Sequence, residues 1–434
     1  MTYECVSIAN EQLSQIYLSI FHFMLHTLLL LVLHLLHFTN AYNLVIDTQP
    51  KGINFYLQNF RKEYEKELEN HGIPTITKKR CLGTVDLTEI TVSDVSVEST
   101  MDMIVESDHY LRIEHLHARL NGIYRHNVLF IHNTGDFELS IRDLNATLGP
   151  LLPVNIGGIP YLNQEISCSI SHTEDKIIAR GGILRWLARK RLRDTMKEDL
   201  EGILCDSLVD ILDVKIRKSL ANLSLLLPVN EAITVSYLLS GQPFLLPHGA
   251  IRTYHLGVTS KHHIGKKFYP TTIESDHDVI YHIHEALLSE ITDSVCKQGY
   301  MDGNFTNEGN QVRMICQKAS ISVKNMEAAK TANILLTLML KFHDEEALVT
   351  KKYAVTVLYN SRLRILFRLK SEIVDPNDRF AHYSDQIFAI LSEVMRAHVS
   401  LPLPIPTGAH TDRSMIKLLP DRIIFATDFV YTKQ

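Results

Sequence analysis

ISCSISHTEDKIIARGGILRWLARKRLRDTMKEDLEGILCDSLVDILDVKIRKSLANLSLLLP, residues 166–228, is the stretch from which the fold is read. It opens as an alternating, strand-like segment around Cys168, turns at Gly181-Gly182, and continues as a long amphipathic helix pattern. Ile183, Leu184, Leu187, Leu192, Met196, Leu200, Ile203, Leu204, Leu208, Ile211 and Leu212 recur near the 3.6-residue period, and Arg185, Arg189, Arg191, Arg193 and Lys197 fall mostly between them. One face is apolar and the other starts cationic. Cys205 lies inside the helix pattern, so a Cys168–Cys205 bond would staple strand to helix. Closing that loop restricts the unfolded chain by about 4 kcal/mol on the chain-entropy account, and it needs an oxidising compartment.

The N-terminus fits such a compartment. Residues 16–38 contain no Lys, Arg, Asp or Glu and lead into Thr39-Asn40-Ala41 before Tyr42, the form of a secretory leader spanning 1–41. Residues 1–15 carry Glu4 and Glu11 and no basic residue, whereas translation from Met24 gives a compact leader with Leu28 to Leu36 as its apolar core. An uncleaved signal anchor is the competing reading; His22, His26, His34 and His37 within the segment weigh against it. Beyond the leader the chain is long enough for two domains. The formal charge of -5 excludes a protein that works by bulk positive charge, such as a nonspecific nucleic-acid binder. Asn145, Asn222 and Asn304 begin Asn-x-Ser/Thr acceptor triplets, as in secreted chains.

Of the 6 cysteines, those after the leader are Cys81, Cys168, Cys205, Cys296 and Cys316. Cys168 with Cys205 is the preferred pair and Cys296 with Cys316 a plausible short-range one, leaving Cys81 over. No two form a CxxC. His115 and His117, or His282 and His284, have a spacing that puts two rings on one face of a strand, but no third ligand is evident and no metal site is expected. His282 and His284 fall in a helix pattern, where that spacing points them apart.

Elsewhere, Pro50 starts a first helix with Ile53, Leu57, Phe60, Tyr64 and Leu68 on one face, and Gly72 and Pro74 stop it. From Leu82 to Leu148 the period changes to two, with turns at Asn121-Gly122, Thr134-Gly135 and Leu148-Gly149-Pro150. After the long helix come extended chain to Val258 and a turn-rich stretch to Ser275. Val279, Ile283, Leu287, Ile291 and Val295 then outline a helix, residues 334–369 contain strand-like runs, and residues 380–398 form a last helix before a proline-rich turn and two closing strands. Element order thus repeats, implying two related domains around a connector: 42–235, 236–275 and 276–434. GxSxG, HExxH, GxxxxGK[ST] and GxGxxG are absent from the sequence, so no catalytic residue is named and no enzyme is expected.

Four collinear stretches resemble the lipid-binding serum glycoprotein family of bactericidal permeability-increasing protein, lipopolysaccharide-binding protein, phospholipid transfer protein and cholesteryl ester transfer protein. PKGINFYLQNFRKEYEKELENHGIP (50–74) is similar to the family's first helix, NGIYRHNVLFIHNTGDFELSI (121–141) to its strand, tip and return strand, Cys168 and Cys205 to its shared disulfide, and VSLPLPIPTGAHTDRSMIKLLPDRIIFATDFVY (399–431) to its C-terminal signature. The resemblance implies an α+β fold of two related barrels, each a twisted antiparallel sheet wrapped on long helices, joined by a central sheet in 236–275 into a boomerang.

It further implies a secreted protein without a cofactor that holds a phospholipid or other two-chain lipid in the N-terminal barrel and meets a lipid particle or membrane surface transiently. Ile53, Leu57, Phe60, Tyr64, Leu68, Ile183 and Leu187 would line the slot. Each buried methylene adds about 0.8 kcal/mol. Tyr124, Arg125 and Phe130 would form a membrane or head-group tip between Gly122 and Gly135. The endotoxin-binding members carry a cluster of cations there and this sequence a single Arg125, so lipopolysaccharide binding is the second reading and a lipid-free interaction scaffold the third. The region between Val295 and Leu369 is shorter than in the relatives, and the oligomeric state is left open.

Overall fold

The computed structural model describes residues 42–80, 83–97, 101–105, 109–128, 131–162, 165–171, 174–181, 185–221, 223–259, 269–273, 275–307, 309–324, 333–342, 348–375, 378–406 and 408–431. The expected leader, Cys81, Phe130, Ile183 and Asn222 lie outside the described residues, as does the side chain of Phe60.

The N-terminal barrel is a 7-stranded antiparallel sheet in the order Glu174–Arg180, Ile131–Gly149, His109–Val128, Gly83–Val97, Ile76–Arg80, with Met101–Val105 and Ser167–Ser171 paired at its flanks. Its strands are long because the apolar/polar alternation runs almost unbroken through them. Bulges punctuate that alternation, with Glu89, Asp94, His115 and Asp143 at positive φ beside the register shifts; each adds twist, and together they curl the sheet. Two helices fill the curl: α1, Pro50–Asn70, with proline in its first turn, and α2, Arg185–Ala221. Leu57, Tyr64 and Leu68 of α1 and Leu192, Leu204, Leu208, Ile211 and Leu212 of α2 share one core with the sheet. The Cys168–Cys205 disulfide ties the flanking strand to α2, with Cα atoms 5.5 Å apart.

The C-terminal barrel repeats the plan: a 6-stranded sheet, Gly303–Asn307, Asn310–Lys324, Asn333–Phe342, Leu348–Tyr359, Arg364–Glu372 and Ser400–Pro402, wraps α3, Glu285–Lys297, and α4, Ser384–His398. Leu287, Leu288, Ile291 and Val295 meet Ile387, Leu391 and Met395 within it, and Cys296–Cys316 joins α3 to the sheet. Two related barrels of twisted antiparallel sheet on helices, an α+β boomerang, are thus the observed architecture.

Between the barrels lies a 6-stranded sheet in the order Phe244–Leu245, Ile251–His255, Leu44–Thr48, Val279–His284, Arg422–Tyr431, Ala409–Leu419. Only the first two strands come from the 236–275 segment expected to form it; the others come from both ends and the middle of the chain, pairings that no local pattern reveals. Val279 and Ile283, outlined above as helical, are in a strand, and α3 begins only at Glu285. The strand is buried on both faces, so its apolar run carries no helix-distinguishing period.

Asp47, Arg252 and His282 lock this sheet. Arg252 donates from Nε and Nη2 to the two Asp47 carboxylate oxygens, each at 2.6 Å, while His282 Nε2 lies 3.1 Å from Asp47 Oδ2. Burial alone would raise the Asp47 pKa, but the hydrogen bonds from Arg252 and His282 outweigh it and hold the carboxyl below its ordinary value. At the sheet's end, Gly52 lies so close to Asp278 that a Cβ would run into its carbonyl oxygen, while Lys51 Nζ reaches Asp428 at 3.1 Å. The Lys-Gly pair therefore docks α1 on the closing strands. Tyr237 and Tyr281 donate to the Pro402 and Pro404 carbonyls, at 2.5 and 2.6 Å, which fixes the proline-rich turn.

Asp47→Asn leaves the Arg252 guanidinium buried without its counter-charge and is expected to cost about 3–5 kcal/mol, read as a lower urea midpoint. His255 supplies a pH dependence. Burial pushes its imidazole down to about 4, partly offset by its hydrogen bond with the Tyr237 carbonyl. The unfolded chain, titrating near 6.5, therefore binds the proton first as pH falls, and stability drops between about pH 6.5 and 4 by about 3 kcal/mol. His255→Gln should flatten that part of the stability profile; an unchanged slope would remove His255 as its cause.

Candidate lipid-binding site

On α1, Leu57, Tyr64 and Leu68 point into the N-terminal barrel, and Ile53 packs half-buried at the edge of the same core. Leu187, in the first turn of α2, is half-buried. Tyr64 is completely covered, and its hydroxyl donates to the Leu208 carbonyl of α2 at 3.2 Å. The apolar face predicted to line a slot is thus brought together with α2, and it is sealed by protein contact rather than open.

Space lies beside it at two places. A cavity of about 500 Å³ borders the disulfide between the end of α1 and the middle of α2, lined by His71, Pro74, Ile166, Cys168, Ile203 and Val209 among others. A second, of about 480 Å³, opens where α1 docks on the central sheet, with Phe55 and Phe429 against Lys51, Arg413, Asp278 and Asp428. Both volumes lie in the range of small-molecule sites.

The expected tip is corrected by the structure. Gly122 and Gly135 are not loop residues: Gly122 pairs with Phe137 and Gly135 with Tyr124 inside a continuous hairpin whose strands end at Val128 and restart at Ile131. Tyr124 is not a surface anchor; it is completely buried, and its hydroxyl donates to the Gly181 carbonyl at 2.8 Å. The strands continue in register past both glycines to Val128, which places Tyr124 on the inward face rather than in a loop. Arg125 is exposed. Sequence reasoning missed Trp186, the chain's 1 tryptophan, which is 70% exposed. It stands in the first turn of α2, and exposed Arg189, Lys190 and Arg193 follow it at helical spacing on the same side. Its signal was a bulky aromatic among the cations of a polar helix face.

The paired histidines have other tasks. His115 Nδ1 lies 3.2 Å from Asp143 at the surface, while His282 bonds Asp47 and His284 Nδ1 accepts from Ala286 as the cap of α3. His282 and His284 stand on a strand, not in the helix expected for them. Asn145 is half-buried, its side-chain oxygen accepting from the His115 amide, and Asn304 is exposed. No helix among the described residues is long and apolar enough to cross a membrane.

Comparison with solved structures finds this chain similar to the crystal structure of lipopolysaccharide binding protein, at a TM-score of 0.59 and 12% identity over 91% of this chain and 100% of that one. P47 of Clostridium botulinum E1 matches at a TM-score of 0.27 and 10% identity over 90% of this chain and 99% of that one. Takeout 1 of Epiphyas postvittana matches at 0.29 and 8% over 39% and 91%. At those two scores neither bears on the argument. No protein-family model matches the chain, and no curated protein matches it in sequence. The two-barrel fold is therefore shared with lipopolysaccharide binding protein, at an identity too low to carry residue roles across.

Tyr124→Phe tests the inward placement. Losing one buried hydrogen bond should cost about 1 kcal/mol in urea unfolding, whereas a solvent-facing tip tyrosine would cost nothing measurable.

Proposed function

We propose that this chain is a secreted, non-enzymatic lipid-binding protein that shelters the acyl chains of a phospholipid or other two-chain lipid inside its N-terminal barrel. The observation that supports it most is the fold shared over 91% of this chain with lipopolysaccharide binding protein, together with the apolar faces of α1 and α2 lying within this chain's curled sheet. The interior is closed over Leu57, Tyr64 and Leu68, so chains enter by parting the helices from the sheet, exchanging protein contacts for acyl contacts at little net cost in buried apolar area. The cavities at the disulfide and at the α1 docking point are the places where that opening begins. Two disulfides agree with an oxidising, extracellular setting, as do the leader and acceptor triplets of the sequence.

Trp186 with Arg189, Lys190 and Arg193 is the surface that would meet a lipid particle, aromatic ring at the interface and cations on anionic head groups. The same cluster favours lipopolysaccharide as the second reading, because it adds to Arg125 the positive charge that the hairpin lacks. Native purification, solvent extraction and mass spectrometry should return phospholipid near one molecule per chain; lipid A in its place would select the second reading, and a folded, disulfide-bonded sample free of lipid would favour an interaction scaffold. Trp186→Ala should weaken binding to anionic vesicles severalfold while leaving the extracted lipid unchanged.

A further inference from the structure

Four strands of the N-terminal sheet meet in one row. Lys78 lies opposite Val85, Val85 opposite His126, and His126 opposite Asn133. Residues directly opposite share a face, and Val85, His126 and Asn133 are all buried, so the row looks inward. In the neighbouring inward row Leu87 lies opposite Tyr124, as a core should. Here instead His126 is 1% exposed with neither ring nitrogen hydrogen-bonded, and Asn133 is 3% exposed with its Nδ2 unbonded.

α2 passes over this row. Lys78 Nζ meets Asp199 Oδ1 at 2.7 Å, and the Arg191 guanidinium acts electrostatically on His126. Those two points lie about 12 Å apart along the helix. Thr195 falls midway, one helical step of four from each and hence on the same face. It is completely buried with its hydroxyl unbonded. Buried polar side chains without partners are rare enough to need an explanation, and three converge here on one seam.

We propose that His126, Asn133, Thr195 and Arg191 form a binding site for the carboxylate of a long-chain fatty acid, whose alkyl tail lies along the apolar interior beside Leu87 and Leu192. Asn133 Nδ2, the Thr195 hydroxyl and one imidazole N–H are the donors a carboxylate oxygen pair takes up. Lys78 pairs with Asp199, and the Arg191 guanidinium acts on His126 from the other end, a positive charge available to a monoanion. The second Asp199 oxygen, also unbonded, sits at the Lys78 end, away from Arg191. Burial first, and Arg191 second, lower the His126 pKa; a bound carboxylate acts in the opposite sense. This site rests on the acyl-binding reading above and goes beyond it, adding a single-chain carboxylate lipid to the two-chain lipid proposed there.

The test is titration of the full chain with [1-13C]oleate and with methyl oleate, which has the same tail and no charge, followed by calorimetry and by the 13C and His126 imidazole resonances. Oleate is expected to bind at least tenfold tighter than its ester and to raise the His126 pKa. Thr195→Val and Asn133→Leu should erase most of that preference while leaving methyl oleate affinity unchanged. Thr195→Val preserves shape and removes an unbonded hydroxyl, so its fold persists and its Tm does not fall. Equal affinity for acid and ester would overturn the carboxylate site and leave acyl binding standing. Acetate or inorganic phosphate shifting the His126 resonance without any oleate preference would also overturn it, showing a small-anion site. Failure of both oleate and its ester, where extraction has returned phospholipid, would overturn the site alone; with no extracted lipid it would sink both readings.

Discussion

The Leu44–Thr48 strand can lie in the middle of the central sheet only because Asp47 has somewhere to put its charge. Its neighbours, Ile251–His255 and Val279–His284, are remote in sequence, and Arg252 directly opposite with His282 two residues along from the position opposite, on the same face, gives the carboxylate a partner on each side. A slip of one residue would turn Asp47 towards the core shared with the C-terminal barrel and strand Arg252 on the other face. A buried ion pair adds little net stability over an apolar pair of the same shape, but it penalises every wrong register heavily. Both barrels take their placement from it: α1 leaves the sheet two residues after this strand, and α3 begins directly after the strand bearing His282.

The two barrels treat polar groups in their interiors differently. In the C-terminal barrel Lys351 is nearly inaccessible, yet it reaches Glu372 at 2.9 Å and the Ser384 hydroxyl at 3.1 Å and pairs with Asp378 as well. That charge is paired within the barrel, although the buried Tyr353 hydroxyl close by has no hydrogen-bond partner. The N-terminal interior is apolar around Tyr64, Leu68 and Leu208 but carries unbonded groups on His126, Asn133 and Thr195.

Much of this was legible in the sequence, for reasons that can be named. The α1 face from Ile53 to Leu68, bounded by Pro50 and Gly72, survives because an amphipathic helix writes its buried stripe locally. Cys168 and Cys205 likewise declare a strand-to-helix link. What escaped depends on long-range register. Tyr124 is inward because the hairpin strands run on past Gly122 and Gly135, and two glycines read as a loop do not reveal a pairing that continues to Val128. Val279 to His284 passed for helix because burial on both faces removes the period. Thr195 falls on the buried stripe between Leu192 and Leu204, where a threonine reads as a tolerated helix residue; its meaning comes only from the strand row beneath it. Trp186 was hidden because exposure cannot be read from a residue type that is usually buried.

The two ends of the described chain flank the same central strand: Leu44–Thr48 on one side of Val279–His284 and Arg422–Tyr431 on the other. A chain whose first and last strands are zipped to a common neighbour is a closed ring in all but covalent bond. A cut in a loop of either barrel therefore leaves two fragments still laced through the centre, and neither half can be pulled away without unzipping the seam that also seats the other. Two barrels of similar architecture are thus laced through one shared sheet.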